Sequence, residues 1–289
     1  MSPRSKMVLK LFMNRYHGGS LDSLAQLLPE QELQELRALE VSSSNTAALL
    51  QQPYEYAVRV HYSWIAPLLE KYTPEQQQLF LSAFPDNQRQ RLGKLLKIKA
   101  SETSLPPITR KFLLNRLLLP LTAEKDCLPR ELLDSNELTP LLSWSKKELM
   151  MLIDYLGLYD LAEKARYIVD KVKLKNIFNC LTPKKIEFMR RCQKYSEQLS
   201  MSELDLDQWN GDCGRLGELL HLRGLFRLGK ALCGQQKELI WHLTHILDTG
   251  RGKILMRCYN SEEIPNVTPI LQQQVLRTMN HLKPKGESE

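Results

Sequence analysis

The 289-residue chain lacks any apolar run near the roughly 20 residues that a membrane-crossing helix requires, so no membrane anchor is expected. Its start, Met1-Ser2-Pro3-Arg4-Ser5-Lys6, leads into a mixed segment rather than a secretory apolar region, as expected of an intracellular protein. The six cysteines, at 127, 180, 192, 213, 233 and 258, include no Cys-x-x-Cys pair. That spacing argues against a zinc ribbon or a disulfide framework and predicts reduced thiols. Also missing are a Walker loop, a dinucleotide-binding glycine fingerprint, a Gly-x-Ser-x-Gly elbow and a Cys/His signature. Gly211, Gly214 and Gly217 are evenly spaced, but they follow no predicted strand and lack the context that cradles phosphate. They are expected at a helix start or at close helix contacts. No cofactor and no enzymatic activity are expected. Alternating strand patterns bounded by Asn-Gly or Asp-Gly turns are absent too, which argues against a sheet.

What the chain does contain is ordinary globular material, 43% apolar and 25% charged. The net charge of +7 favours acidic partners, anionic surfaces or nucleic acid by long-range attraction, without bearing on the fold. One local signature recurs, an apolar residue, often followed by Thr, then Pro, then residues at helical spacing. It stands at Leu28-Pro29, Thr73-Pro74, Phe84-Pro85, Leu128-Pro129, Thr139-Pro140, Thr182-Pro183 and Thr268-Pro269. Thr caps exposed backbone N–H groups, and Pro at the first helical position gives up a donor that had no partner there. Leu24, Leu27 and Leu28, then Leu33, Leu36 and Leu39, and later Leu149, Leu152, Ile153 and Leu156 recur at helical spacing. The predicted fold class is all-α, a short stack of helical hairpins or repeats in two or three sub-domains.

Ile98 to Thr109 (IKASETSLPPIT) interrupts the pattern with Ser, Thr and a Pro-Pro pair, and Ser200 to Gly214 is a weaker break. The expected organisation is an N-terminal helical domain over 1–100, a linker over 101–109, a middle domain over 110–200, a C-terminal region over 201–282 and a disordered tail over 283–289. Trp64 to Leu96 and Leu156 to Cys192 look like distant copies of one unit, each with a Thr-Pro step between helices.

His242-x-x-His245-x-x-Asp248 places two imidazoles and a carboxylate on neighbouring helical turns, the arrangement of an open metal site. The spacing differs from the zinc-peptidase pattern, however, and the preferred reading sets both residues beside Trp241, one packed and one capped, with no metal bound. Arg89, Arg91, Lys94, Lys97 and Lys99 close one predicted helix and read as a solvated face. Arg223, Arg227 and Lys230 are spaced four and three apart, which predicts an outward basic stripe opposite Leu222, Leu225, Phe226 and Leu228, a candidate partner-binding face. The alternative use of such a surface is nucleic-acid binding by a helical regulator, although stacking aromatics among the cations are absent.

Gln52 to Leu96, with Leu68-Leu69, Thr73-Pro74-Glu75, Phe84-Pro85-Asp86 and Arg89-Gln90-Arg91, resembles the helical repeat of the flagellar rotor-switch protein FliG. Leu141 to Cys192, with Asp160-Leu161-Ala162, Ile177-Phe178-Asn179 and Leu181-Thr182, resembles a second such unit. The paired acidic residues of the rotor protein's torque helix have no counterpart in ELTPLLSWSKKELMMLIDYLG, and the final third matches nothing in that family. The resemblance therefore implies a non-motile relative, similar to the SctK-like accessory component of the type III secretion sorting platform. It implies a scaffold in the bacterial cytoplasm, peripheral at the inner membrane, with inner-membrane ring and platform subunits as partners.

Overall fold

The computed structural model describes residues 3–39, 55–98, 105–122, 130, 133, 135–194, 204–207 and 209–283. Among the described residues there is no strand, and the fold is all-helical. None of the described helices is long and apolar enough to cross a membrane. The chain divides into two units, Met1–Asp134 and Ser135–Glu289.

The first unit contains α1 (Pro3–Tyr16), α2 (Glu30–Ala38), α3 (Tyr62–Leu69), α4 (Pro74–Ser82), α5 (Asp86–Leu96) and α6 (Pro107–Thr122). Met13, Leu21, Leu33 and Leu36 form a small core between α1 and α2, with Leu9, Leu24 and Leu28 packed against it. Leu24 ends a short 3-10 turn, Asp22–Leu24, and Leu27 points outward, so the first leucine series does not continue as one helix. A second set of contacts joins α3 to α5 and α6, and α4 to the same two helices. Ile65, Leu69, Leu81, Leu92, Leu114 and Leu117 are its most deeply buried side chains.

The second unit contains α7 (Lys146–Lys164), α8 (Lys171–Asn179), α9 (Pro183–Cys192), α10 (Cys213–Ala231), α11 (Lys237–Ile246), α12 (Thr249–Cys258) and α13 (Thr268–Leu282). At its centre α7 and α10 pack more extensively than any other described pair. Glycine makes this approach possible. A Cβ on Gly157 would stand 2.0 Å from the Leu220 carbonyl oxygen, and one on Gly224 would stand 1.8 Å from that of Ile153. Each helix thus presses its backbone against a glycine of the other. Leu149, Leu152, Ile153 and Leu156 are all buried on α7, as their spacing predicts. Around this pair, α10 also contacts α12 and α13, and α7 contacts α9 and α13.

The Thr-Pro starts divide by role. Thr73 and Thr182 are N-caps whose hydroxyls accept from the backbone N–H three residues on, with Pro at the first helical position. Pro29 and Pro85 are themselves the cap residues of α2 and α5. Thr139-Pro140 opens a 3-10 turn, Thr139–Ser143. Thr268 begins α13 but is buried, and its hydroxyl donates to the Lys230 carbonyl at 3.1 Å.

The boundaries differ from expectation. The break at 98–109 separates two helices of one unit, since α6 packs on α3 and α4 across it, and α6 begins at Pro107 inside the expected linker. Residues 110–200 and 201–282 are not separate either, because α7 and α10 share one core. The polar stretch ahead of α10 carries buried Leu204, Leu206 and Trp209, and the Trp209 indole donates to the Asp212 carbonyl at 2.7 Å. Lys99, Cys127, the Leu128-Pro129 start and the tail after Lys283 lie outside the described residues.

Candidate functional site

Arg223, Arg227 and Lys230 do not form an outward stripe. Helix α10 packs against α7, α12 and α13, and Arg227 is only 2% exposed. Its Nη2 donates to Asp160 Oδ1 of α7 at 2.5 Å, and its Nη1 donates to Gln274 Oε1 of α13 at 2.5 Å. Arg223 Nε donates to the other Asp160 oxygen at 2.5 Å, while Lys230 is half-buried. One carboxylate thus bridges two guanidinium groups inside the unit. Burial pushes the Asp160 carboxyl up, but the charges and hydrogen bonds of Arg227 and Arg223 outweigh it and hold the group below its ordinary value. Arg223 and Arg227 are engaged in an internal lock, and the sign of that was Asp160 itself, a lone acid in the apolar run from Tyr155 to Ala162.

The metal pattern is dispersed in the same way. His242 and His245 are both buried, with Trp241 edge-on to His242 at 5.1 Å between ring centroids and stacked on His245 at 4.2 Å. His245 Nδ1 donates to the Trp241 carbonyl at 2.7 Å. Asp248 instead caps α12, accepting from Arg251 N at 3.2 Å, and pairs with the Arg251 guanidinium at 2.7 Å. Both rings therefore stand beside Trp241, as expected, and both are packed. Among the described residues no His, Cys, Asp or Glu cluster has the makings of a metal site.

The unit's notable concavity is a groove of about 640 Å³ bordered by α7, α10 and α12. Met150, Leu181, Leu216, Leu222 and Ile254 supply its apolar surface. A chain of charged groups runs along it. Lys185 Nζ lies 3.4 Å from Asp154 Oδ2, His221 Nδ1 donates to Asp154 Oδ1 at 2.7 Å, and Arg251 Nε donates to His221 Nε2 at 2.8 Å. Because a guanidinium only donates, His221 Nε2 must accept, which places the imidazole proton on Nδ1. Burial raises the Asp154 carboxyl, yet the His221 hydrogen bond and the Lys185 charge bring it below its ordinary value. Asp248 behaves alike through Arg251 and Lys146.

An Asp-His pair of this kind orients a general base when the second nitrogen faces a nucleophile. Here that nitrogen is taken by Arg251. The two sulfurs on the groove are also joined, as a Cys180–Cys213 disulfide with a Cα–Cα distance of 5.0 Å. This corrects the expectation of six thiols. The end of α8 lies against the start of α10, a proximity that a sequence separation of 33 does not reveal. Cys192, Cys233 and Cys258 are free, and burial pushes the Cys192 thiol up to about 12. Gly214 lies at the α10 start, where its N–H donates to the Asp212 carboxylate at 2.9 Å. Gly217, one turn on, faces open space on the groove. No family model, curated protein or solved structure matches the chain.

Proposed function

We propose that the chain is a non-enzymatic helical scaffold that holds a segment of a partner protein in the groove between α7, α10 and α12. The observation that carries this reading is the composition of the groove. Its volume of about 640 Å³ suits a few side chains. Apolar residues share it with fixed charges of both signs, an environment complementary to one face of an amphipathic segment. The lock of Asp160 with Arg223 and Arg227 supports the reading as well, since it holds α7 against α10 and keeps the groove preformed.

The partners proposed are inner-membrane ring and cytoplasmic platform subunits of a type III secretion apparatus, in the bacterial cytoplasm. That assignment rests on the resemblance of Gln52–Leu96 and Leu141–Cys192 to the rotor-switch repeat. The nucleic-acid alternative is the weaker reading, because Arg223 and Arg227 of the basic surface it would use are turned inward. The test is binding of purified ring and platform subunits to the wild type and to Gly217→Trp. An indole at that open position obstructs the groove without entering the core, so binding should fall at least tenfold with melting not lowered. Full binding by the folded variant would remove the groove as the docking site.

A further inference from the structure

Helix α6 of the first unit is apolar on two opposite sides. Leu113, Leu114, Leu117 and Leu118 are buried. On the other side Ile108 is 83% exposed, Phe112 64% and Leu119 52%. At about 100° per residue these three fall within about 40° of one another, directly opposite the buried leucines. Lys111 lies on one flank of this ridge and Arg116 on the other, both exposed. Between 107 and 122 there is no Asp or Glu.

From this geometry we infer that α6 docks the first unit on an anionic lipid surface, the ridge entering the boundary between headgroups and acyl chains while Lys111 and Arg116 meet lipid phosphates. Three observations favour lipid over a protein partner. The ridge offers roughly 400 Å² of surface, about half of what each side of a stable protein interface contributes, yet enough for peripheral insertion. Cations flank it on both sides, which matches a planar sheet of negative charge. A second apolar ridge is exposed on α1, where Val8, Phe12 and Tyr16 stand at four-residue spacing on a helix whose sequence holds Lys and Arg but no acid, although Lys6 is paired with Glu35 of α2. With 16 residues that include Arg110, Lys111 and Arg116, α6 would lie on the bilayer and not cross it. The inference concerns the first unit and does not depend on the partner proposed for the groove.

The test is co-sedimentation of the full chain with phosphatidylcholine vesicles that contain roughly one-third phosphatidylglycerol. Binding should weaken as salt rises, because exposed charges are screened. Lys111→Gln with Arg116→Gln should lower affinity about 25-fold, at about fivefold per cation. Ile108→Ser with Phe112→Ser should lower it at least about 30-fold, since both side chains leave the apolar phase. Phe112→Trp gives a separate readout, a blue shift of indole emission when vesicles are added. The inference is overturned if the wild type ignores anionic vesicles at low salt or binds pure phosphatidylcholine equally well. It is equally overturned if both double variants bind undiminished, or if the indole emission of the Phe112→Trp variant stays at its aqueous position with vesicles bound. Capture of an acidic protein through α6 without vesicle binding would assign the face to that partner instead.

Discussion

Replacing Asp160 by Ala should be among the most damaging single changes available in the second unit. The carboxylate is 5% exposed and accepts from two guanidinium groups whose side chains are 11% and 2% exposed. Arg227 has little in reserve, since its buried Nε meets no acceptor among the described residues and its other contacts are Gln274 and the Tyr159 ring, 5.6 Å away. Removing one partner of a buried ion pair leaves uncompensated charge and costs about 3–5 kcal/mol, a large part of the roughly 5–15 kcal/mol that keeps a domain folded. For a unit the size of 135–289 this lowers the melting temperature by roughly 6–20 °C. Trp144, Trp209 and Trp241 lie in that unit and Trp64 in the other, so fluorescence-detected urea and thermal unfolding in a Trp64→Phe background isolates the transition. Adding Arg227→Met to Asp160→Ala should recover part of the loss, because a thioether needs no counter-charge. A single variant within about 1 kcal/mol of wild type, or a double variant worse than the sum of its parts, would refute the lock.

The two kinds of glycine should respond with opposite sign. Gly224→Ala forces a methyl against the Ile153 backbone and should cost about 1–3 kcal/mol, whereas Gly217→Ala meets nothing and should stabilise α10 by about 0.5–1 kcal/mol, both read by chemical denaturation. Acid should unfold the second unit first. The Asp160 carboxyl is held below its ordinary 3.8, so its contribution is complete above that value and is lost as pH falls through the lower folded one; the Asp160→Ala variant should lack this part of the acid transition. The Cys180–Cys213 bridge closes a 33-residue separation, and its reduction should cost about 3–4 kcal/mol by chain entropy. Non-reducing peptide mapping of the purified protein should recover the two cysteine peptides cross-linked, and rapid alkylation in intact cells should find both as thiols if the proposed cytoplasmic location holds.

The helices were legible because their signals are local. Ser145 with Glu148, Asp170, Thr182 and Asp212 all cap helices in the manner their residue types favour. The leucine spacing of α7 marked its buried face for the same reason. What failed was inference about the surroundings of a helix. The spacing of Arg223, Arg227 and Lys230 places them near one another on α10 but does not say that α7 and α13 cover that side. The Cys180–Cys213 pairing and the Asp154–His221–Arg251 chain likewise join residues that only tertiary packing makes neighbours. Asp160 amid apolar residues and the glycines at 157 and 224 were available hints, since a lone buried acid requires a cation and a mid-helix glycine often marks close approach.

The most direct test of the scaffold reading is isothermal titration of the full chain with each purified ring and platform subunit, alongside Gly217→Trp and Gly217→Ala. The expected result is saturable binding of at least one subunit, retained by Gly217→Ala and lowered tenfold or more by Gly217→Trp, with neither variant melting below the wild type. Absence of binding by every subunit would contradict the proposed partners, and equal binding by both folded variants would contradict the groove.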